Sequence, residues 1–193
     1  MTFKSIVTGA IFAGAAASAM ALSSIGVASI AATRATANDT STDKLGYWEG
    51  HWRFESHVKE TPYSHALIET GNGHCTWQAS RHYMVCEYIV DKMTPDDPVK
   101  PDNLVVYHYN ASKNALVYTS ITPEGAPNVS TVAIEGNEWT VAYQVPRQSG
   151  GTADIRHIQK FLSPTRWTMA TEISVDRGEH WSAISETVSN KVG

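Results

Sequence analysis

Histidine is the residue type of this sequence that is best suited to chemistry near neutral pH, because its imidazole can exchange a proton or bind a metal there. No two of these histidines have the His-x-x-x-His spacing of a helical zinc site or another metal-binding pattern, so the sequence predicts no metal site. We interpret most of them as exposed residues of strands and turns. The eight are His51, His57, His65, His74, His82, His108, His157 and His180.

Two of these histidines have neighbours that suggest proton transfer. His108 lies between Tyr107 and Tyr109 in an otherwise apolar segment, and His157 lies in a segment that ends at Phe161. An imidazole pair with a tyrosine in one interior could act as general acid and base. The candidate catalytic residues are therefore His108, Tyr107 and His157. In the simpler interpretation, one histidine lies at a rim of the fold and the other faces water.

No catalytic motif accompanies these residues. The sequence has no Gly-x-Ser-x-Gly nucleophile elbow, and Ser149-Gly150-Gly151 opens a predicted strand rather than a phosphate-binding helix. Enzyme activity therefore stays open, and no cofactor is predicted. The net charge of −4, with lysine and arginine scattered along the chain, disfavours a nucleic-acid partner.

The elements that must position these side chains are short β-strands. Turn residues separate them; Gly136-Asn137 is a strong hairpin signal, and the prolines and aspartates of 94–102 predict a loop. No segment after residue 45 has a convincing helical period. The predicted strands span 48–58, 71–78, 83–91, 104–109, 115–121, 129–135, 138–145, 152–162, 167–175 and 180–188.

This pattern predicts an all-β fold, a single antiparallel up-and-down β-barrel of about ten strands and of lipocalin or calycin type. Closure pairs the first strand with the last and removes exposed sheet edges. Small closed barrels are either filled by side chains or hold one small ligand. The alternation of the late strands predicts which side chains face one core: Trp139, Val141, Tyr143, Trp167, Met169 and Ile173.

The two cysteines, Cys75 and Cys86, predict a disulfide. A hairpin that pairs Gln78 with Tyr83 around 79–82 places them directly opposite each other, within bonding range. The alternative is a pair of buried free thiols. Export favours the bond, because disulfides persist in oxidising compartments.

The N-terminal region reads as an export signal. Lys4 is followed by a long run of small and apolar residues, and Ala35-Thr36-Ala37 is a small-x-small cleavage site. We predict a signal peptide at 1–37, a flexible lead-in at 38–44 and the barrel at 45–191, in a periplasmic or secreted protein with no membrane contact after cleavage. The alternative is a retained membrane anchor, since the apolar run is long enough to span a bilayer.

Several short segments together resemble a known family. In order, they are 45–52, 73–77, 84–86, 106–109, 114–118, 136–140, 163–165 and 174–181. With this order and spacing, the region 45–191 resembles the bacterial lipocalin-like family that is classified as a domain of unknown function. The chain departs from the family pattern at Ser80-Arg81, where Gly-Gly is common, and at 107–109, where a Gly-Tyr-Asp turn is common. The resemblance implies a barrel fold and an exported protein, and it brings no established catalytic residues.

Aromatic residues supply the candidate ligand site. Trp48 is expected to close the floor of the barrel. A turn centred on Ser112 would bring Tyr107 opposite Val117, and alternation prevents Tyr107 and His108 from both facing inward on a regular strand. The candidate ligand-binding residues are Trp52, Tyr107, His108, Tyr118 and His157.

The leading functional hypothesis is an exported barrel that binds a small apolar or aromatic molecule. The first alternative is an isomerase or lyase-type enzyme that uses histidine and tyrosine as acid and base in the barrel cavity. The second is a structural or interaction barrel whose interior is packed solid. The size and the lining of the interior discriminate between them; the sequence leaves the oligomeric state open.

Overall fold

The structure is a computed structural model that describes residues 44–96, 102–122, 127–147 and 150–193. The predicted signal peptide, the segment 38–43 and parts of the predicted loops, among them 97–101, lie outside these ranges. Ten strands follow one another: β1 (Gly50–Val58), β2 (Leu67–Trp77), β3 (Tyr83–Thr94), β4 (Asp102–Asn110), β5 (Ala115–Ile121), β6 (Asn128–Glu135), β7 (Glu138–Pro146), β8 (Thr152–Ser163), β9 (Arg166–Ser174) and β10 (Ser182–Val192).

The strands form one closed antiparallel barrel in which each pairs with its neighbours along the chain and β1 pairs with β10. The predicted all-β barrel of about ten strands is thereby confirmed. In this topology the loops that follow odd-numbered strands lie at one end, which we call the mouth. The loops that follow even-numbered strands lie at the other end, the floor. Within the described ranges, no helix has the length and apolar character needed to cross a membrane.

The floor of the barrel is closed by aromatic rings that pack around Trp48. A short turn, in which the amide of Trp48 donates to the carbonyl of Leu45 at 3.0 Å, precedes β1 and directs this side chain inward. The ring centroid of Trp48 lies 5.0 Å from that of Phe161 and 5.2 Å from that of Trp167. The indole of Trp52 donates to the carbonyl of Trp48 at 2.7 Å. Because these rings are almost completely removed from water, their burial stabilises the fold.

The side chains predicted to face inward do so. Trp139, Val141, Trp167 and Met169 belong to the main buried cluster, which also contains the floor. Ile173 belongs instead to a smaller cluster of Ala153, Ile155, Ile173 and Ile184, on which Tyr63 of the β1–β2 loop packs. Tyr143 packs against both clusters, so the predicted single core is two layers joined by one tyrosine.

The disulfide is confirmed. Cys75 and Cys86 are bonded and face each other in the register of β2 and β3, and the amide of Gln78 donates to the carbonyl of Tyr83 at 3.1 Å as the predicted hairpin requires. The bond joins two strands that already pair, so it reinforces the local register.

Three irregularities interrupt the regular pairing of the described strands: one lies between β8 and β9 at Leu162, and the other two lie on either side of the β1–β2 hairpin. Asp91 is the extra residue of β3, because Thr70 pairs with Lys92 and Gly71 with Val90. Ile184 is the extra residue of β10, where it and the following serine are both buried. Bulges turn side chains out of the regular alternation, and those at Asp91 and Ile184 lie where the interior becomes polar.

Candidate functional site

A small cavity lies at the centre of the barrel, between the floor and the mouth. Its volume is about 30 Å³, counted as the space open to the centre of a water molecule, which suits a few waters. Side chains from eight strands line the cavity: Phe54, Tyr88, Asn103, Val105, Tyr107, Tyr118, Val141, His157, Gln159, Trp167, Met169 and Thr187.

Two glycines of β2 allow two aromatic rings to reach this cavity. A Cβ at Gly71 would clash with Cζ of Phe54, and one at Gly73 would lie 2.7 Å from Cε1 of Tyr88. Since real Cβ atoms do not approach so closely, glycine at these positions leaves the space that the two rings occupy. The glycines therefore set the shape of the wall.

The tyrosines of the wall are neutral. Tyr107 and Tyr118 pair across β4 and β5, with ring centroids 5.6 Å apart. Burial raises the pKa of Tyr118 to about 12 and raises the pKa of Tyr107 well above its usual range. Burial likewise raises the pKa of Tyr88. At neutral pH these phenols are therefore uncharged groups of the wall that can donate and accept hydrogen bonds.

His157 has partners on both ring nitrogens. Nε2 lies 2.9 Å from the hydroxyl of Tyr143, and Nδ1 lies 3.0 Å from Oγ1 of Thr171. Burial lowers the pKa of His157 to about 4, so the imidazole is neutral at pH 7. A neutral ring donates through one nitrogen and accepts through the other, and these two contacts use both.

Two amides of the wall have polar atoms without a partner. Neither Oδ1 nor Nδ2 of Asn103 has a hydrogen-bond partner within the described ranges, although both are buried, and the same holds for Oε1 of Gln159. Nε2 of Gln159 approaches Sδ of Met169 at 3.5 Å, and the Gln159 side chain also hydrogen-bonds to Tyr107. Buried polar groups in native proteins are nearly always paired, with protein, water or ligand. The cavity wall thus offers donors and acceptors that the described side chains leave unused.

A buried acid, Glu69, lies towards the mouth from this cavity. It points inward from β2, opposite Ser56 of β1 and Met93 of β3. Its side chain is fully buried, and both carboxylate oxygens are without a hydrogen-bond partner among the described residues. Burial raises the pKa of Glu69 to about 7.

The residues proposed from sequence are divided by the structure into three places. Tyr107, Tyr118 and His157 lie together on the cavity wall. Trp52 is buried in the floor, with its ring centroid 6.2 Å from that of Trp167. His108 lies on the outer face of β4, half-buried, and does not join the interior group. Whether any of them contacts a ligand stays a prediction.

The register between β4 and β5 differs from the predicted one by one residue. Tyr107 pairs with Tyr118, and His108 pairs with Val117. The reason is the turn: it has four residues, 111–114, and Asn114 adopts a left-handed conformation with φ of 47°, so the hairpin is centred between two residues rather than on Ser112. This shift by one residue places both tyrosines inside.

Sequence reasoning missed three polar residues of the interior, which are Glu69, Asn103 and Gln159. The first two lay outside the predicted strands, which began at 71 and 104, whereas β2 begins at Leu67 and β4 at Asp102. The sequence did indicate an inward position for Glu69, because alternation places residues 69, 71 and 73 on the same face of the strand as the inward-facing Cys75.

The outer surface has two further features, a hollow at the floor end and a group of two acidic residues with a histidine. A hollow of about 600 Å³ lies at the floor end beside Lys44 and Tyr47, and none of its lining residues has a buried polar side-chain atom without a partner. Asp176 and Glu179 lie with His180 in an exposed group. There the carboxylate of Asp176 accepts hydrogen bonds from the amide and from Nδ1 of His180, at 3.0 and 2.6 Å, which shapes the β9–β10 loop.

Comparisons with known proteins identify the fold. No family model matches the chain, and no curated protein matches it. Among solved structures, the S-type phycobiliprotein lyase CPES from Guillardia theta is similar with a TM-score of 0.54 and 10% identity, over 80% of this chain and 94% of that chain. The structure of EF1p2_mFAP2b bound to DFHBI matches with a TM-score of 0.40 and 10% identity, over 80% of this chain and 100% of that chain. The likeness to the lyase shows a calycin-like barrel.

Proposed function

We propose that this chain is an exported calycin-like barrel that binds a small aromatic molecule in the cavity of Tyr107 and Tyr118. The observation that carries the proposal is the pair of buried amides, Asn103 and Gln159, whose unpartnered atoms line that cavity. A buried amide without a partner costs about 1–3 kcal/mol. A ligand that pairs with both amides recovers this free energy when it binds.

The cavity must widen to admit a ring, because its present volume suits only a few waters. Gln159 and Met169 are the side chains best able to move. The contact between Nε2 of Gln159 and Sδ of Met169 is a weak hydrogen bond, and the unbranched methionine adapts readily to a new neighbour. An aromatic ligand that displaces these two side chains would stack among the tyrosine rings.

Binding is favoured over acid–base catalysis by the state of His157. Both ring nitrogens already have a hydrogen-bond partner, and the lowered pKa leaves the ring neutral. A general acid or base must reach the substrate with a free nitrogen. His157 would have to break a contact to Tyr143 or Thr171 before it could take part.

The test is native mass spectrometry of the full chain expressed with its export signal. We expect a small molecule to co-purify with the native protein and to be lost in Asn103→Leu. The matched control is Asn190→Leu, since Asn190 is exposed on the outer face of β10 and this variant should retain the molecule. Equal retention by Asn103→Leu and the native protein would contradict the proposed site.

The proposed compartment rests on two features, the signal-like segment 1–37 and the Cys75–Cys86 bond, since disulfides persist in oxidising compartments. Membership of the bacterial lipocalin-like family rests on the ordered segments between 45 and 181. Sequencing of the mature N-terminus from a periplasmic or secreted fraction tests the compartment. A start at Asn38 is expected, and an uncleaved chain in the membrane fraction contradicts it.

A further inference from the structure

Glu69 is the one acidic side chain in the described part of the chain that the barrel buries completely with neither oxygen paired. An ionised carboxylate in that position is unstable without a compensating charge, and a protonated one still has a donor without an acceptor. We infer that the ligand of this barrel carries a protonated amine, which pairs with Glu69. The inference rests on the proposed function and specifies the charge of the molecule that the cavity holds.

The missing positive charge is not supplied by the strands that flank β2. From β1, the inward-facing residues beside Glu69 are Phe54, Ser56 and Val58. From β3 they are Val90 and Met93. Arg53 and Lys92 lie on the outer face, and Arg53 pairs there with Asp91. Among the described residues, neither strand beside β2 therefore brings a cation to Glu69 from the interior, and a bound molecule can supply one.

The surroundings of Glu69 can bind an ammonium group with more than one acceptor. Ser56 lies directly opposite Glu69 and accepts a hydrogen bond from Thr187 at 3.1 Å, which leaves its own hydroxyl hydrogen and a lone pair. The hydroxyl of Ser185, which pairs with Val58 on the next position of β1, is buried and has no partner among the described residues. An ammonium group donates up to three hydrogen bonds, so one carboxylate and one or two hydroxyls satisfy it.

The cavity and Glu69 lie close enough for one ligand. Thr187 lines the cavity, and Ser56 separates it from Glu69 in the register. Adjacent strands are about 4.8 Å apart, so the Cα atoms of Thr187 and Glu69 are separated by about 10 Å. An aromatic ring beside Thr187 with a short aminoalkyl chain directed towards the mouth spans this interval.

Binding of such a molecule releases a proton. The amine arrives as an ammonium ion, Glu69 loses its proton to water, and the ion pair forms in the interior. With the pKa of free Glu69 at about 7, affinity for the amine should be about tenfold lower at pH 6 than at pH 8. The other titratable groups that face the interior, His157 and the tyrosines, stay neutral in this range.

The experiment compares 2-phenylethylamine with 2-phenylethanol, which share the ring and the chain and differ in charge. Titration calorimetry of the full chain at pH 8 should give at least tenfold tighter binding of the amine. The amine should weaken about tenfold at pH 6, and the alcohol should not change. Glu69→Gln should remove the advantage of the amine. The matched control Glu87→Gln should keep it, because Glu87 is exposed on the outer face of β3.

Two results would overturn the inference: equal affinity of the native chain for amine and alcohol, or an amine preference that persists in Glu69→Gln. If the alcohol binds and the amine has no advantage, the cavity proposal stands and the inference fails. A native chain that binds neither probe at millimolar concentration also overturns the inference, and the co-purification experiment on Asn103→Leu then decides the cavity proposal by itself. The pH series uses the native chain, so it is decisive even if Glu69→Gln does not fold.

Discussion

The hydroxyl of Tyr143 lies 2.9 Å from Nε2 of His157. These two residues come from neighbouring strands, β7 and β8, and Tyr143 is also the side chain that packs on both buried clusters. The contact therefore joins the two layers of the core to the wall of the cavity. Because burial raises the pKa of Tyr143 and lowers that of His157, both groups are neutral and the bond is an ordinary one between uncharged partners.

We predict that Tyr143→Phe destabilises the barrel by about 1–3 kcal/mol, because it leaves a buried ring nitrogen of His157 without its partner while it keeps the aromatic ring. Urea unfolding at pH 7 measures the change. Tyr83→Phe is the control, since Tyr83 is exposed on the outer face of β3 and should change the free energy of unfolding by less than about 0.5 kcal/mol. Equal effects of the two variants would contradict a role for the Tyr143 hydroxyl in stability.

Glu69 should make the native state less stable as pH rises. Its pKa is about 7 in the folded barrel against an ordinary value of 4.5, so between these values the folded state binds more protons than the unfolded state. The free energy of unfolding therefore falls as pH rises from 4.5 to 7, by on the order of 3 kcal/mol. Urea unfolding of the native chain and Glu69→Gln at pH 5 and pH 8 measures it. The difference between the two proteins should change by about that amount, and a constant difference would contradict the prediction.

His157 should act in the opposite direction. Its pKa is about 4 in the folded state against an ordinary 6.5, so between these values the unfolded state binds more protons. This contribution to the free energy of unfolding rises with pH from 4 to 6.5, again by on the order of 3 kcal/mol. The contributions of Glu69 and His157 then nearly cancel between pH 4.5 and 6.5. Unfolding of His157→Gln across this range should expose the falling contribution of Glu69, and a profile parallel to that of the native chain would contradict it.

Trp167 is expected to be a major source of stability. It is almost fully buried between the floor rings and the cavity, where it contacts Trp48 and Trp52. Trp167→Ala should cost about 3–5 kcal/mol, measured by urea unfolding. Trp181→Ala is the control. Trp181 is half-buried outside the barrel, where Arg156 lies over its ring at 4.1 Å, and its removal should cost about 1 kcal/mol or less. A cost below about 1 kcal/mol for Trp167→Ala would mean that the floor tolerates a large void.

The disulfide should be complete in protein isolated from an oxidising compartment. Thiol labelling under denaturing conditions without reductant should find no free cysteine, and labelling after reduction should find both. The double variant Cys75→Ala, Cys86→Ala should lose about 2–3 kcal/mol, since the sequence separation of the bonded pair is 11. A reductant should lower the Tm of the native chain to that of the double variant and leave the double variant unchanged. A native chain whose Tm does not respond to reductant would contradict a stabilising role.

The strands were predictable because alternation and turn residues act locally. Ala115–Ile121 matches the predicted strand at both ends, and the Gly136-Asn137 turn and the cysteine hairpin have the predicted register. The start of β2 was missed because the acidic and polar residues at 69 and 70 resemble a loop when they are read alone. Only the pairing of β2 with β1, which runs over the whole of Gly50–Val58, brings them into the sheet.

The candidate site was only partly predictable, because it depends on register. A shift of one residue between β4 and β5 decides whether Tyr118 or Val117 pairs with Tyr107. The bulges at Asp91 and Ile184 become visible only when the partner strand is known. Aromatic residues identified the interior in general terms. The unpartnered state of Glu69 and Asn103 is a property of their neighbours in three dimensions, which no local pattern in the sequence contains.

The pairing of β1 with β10 brings the two ends of the barrel sequence side by side, with His51 opposite Val192. A short linker could therefore join them without disturbing any other pair, and the chain could be reopened at the Gly136-Asn137 turn. In such a circular permutant, the pairing of β1 with β10 becomes a local hairpin and that of β6 with β7 becomes the longest-range contact. Because long-range pairing slows folding, the last strand pair to form would change from β1 and β10 to β6 and β7. The folded structure would stay the same.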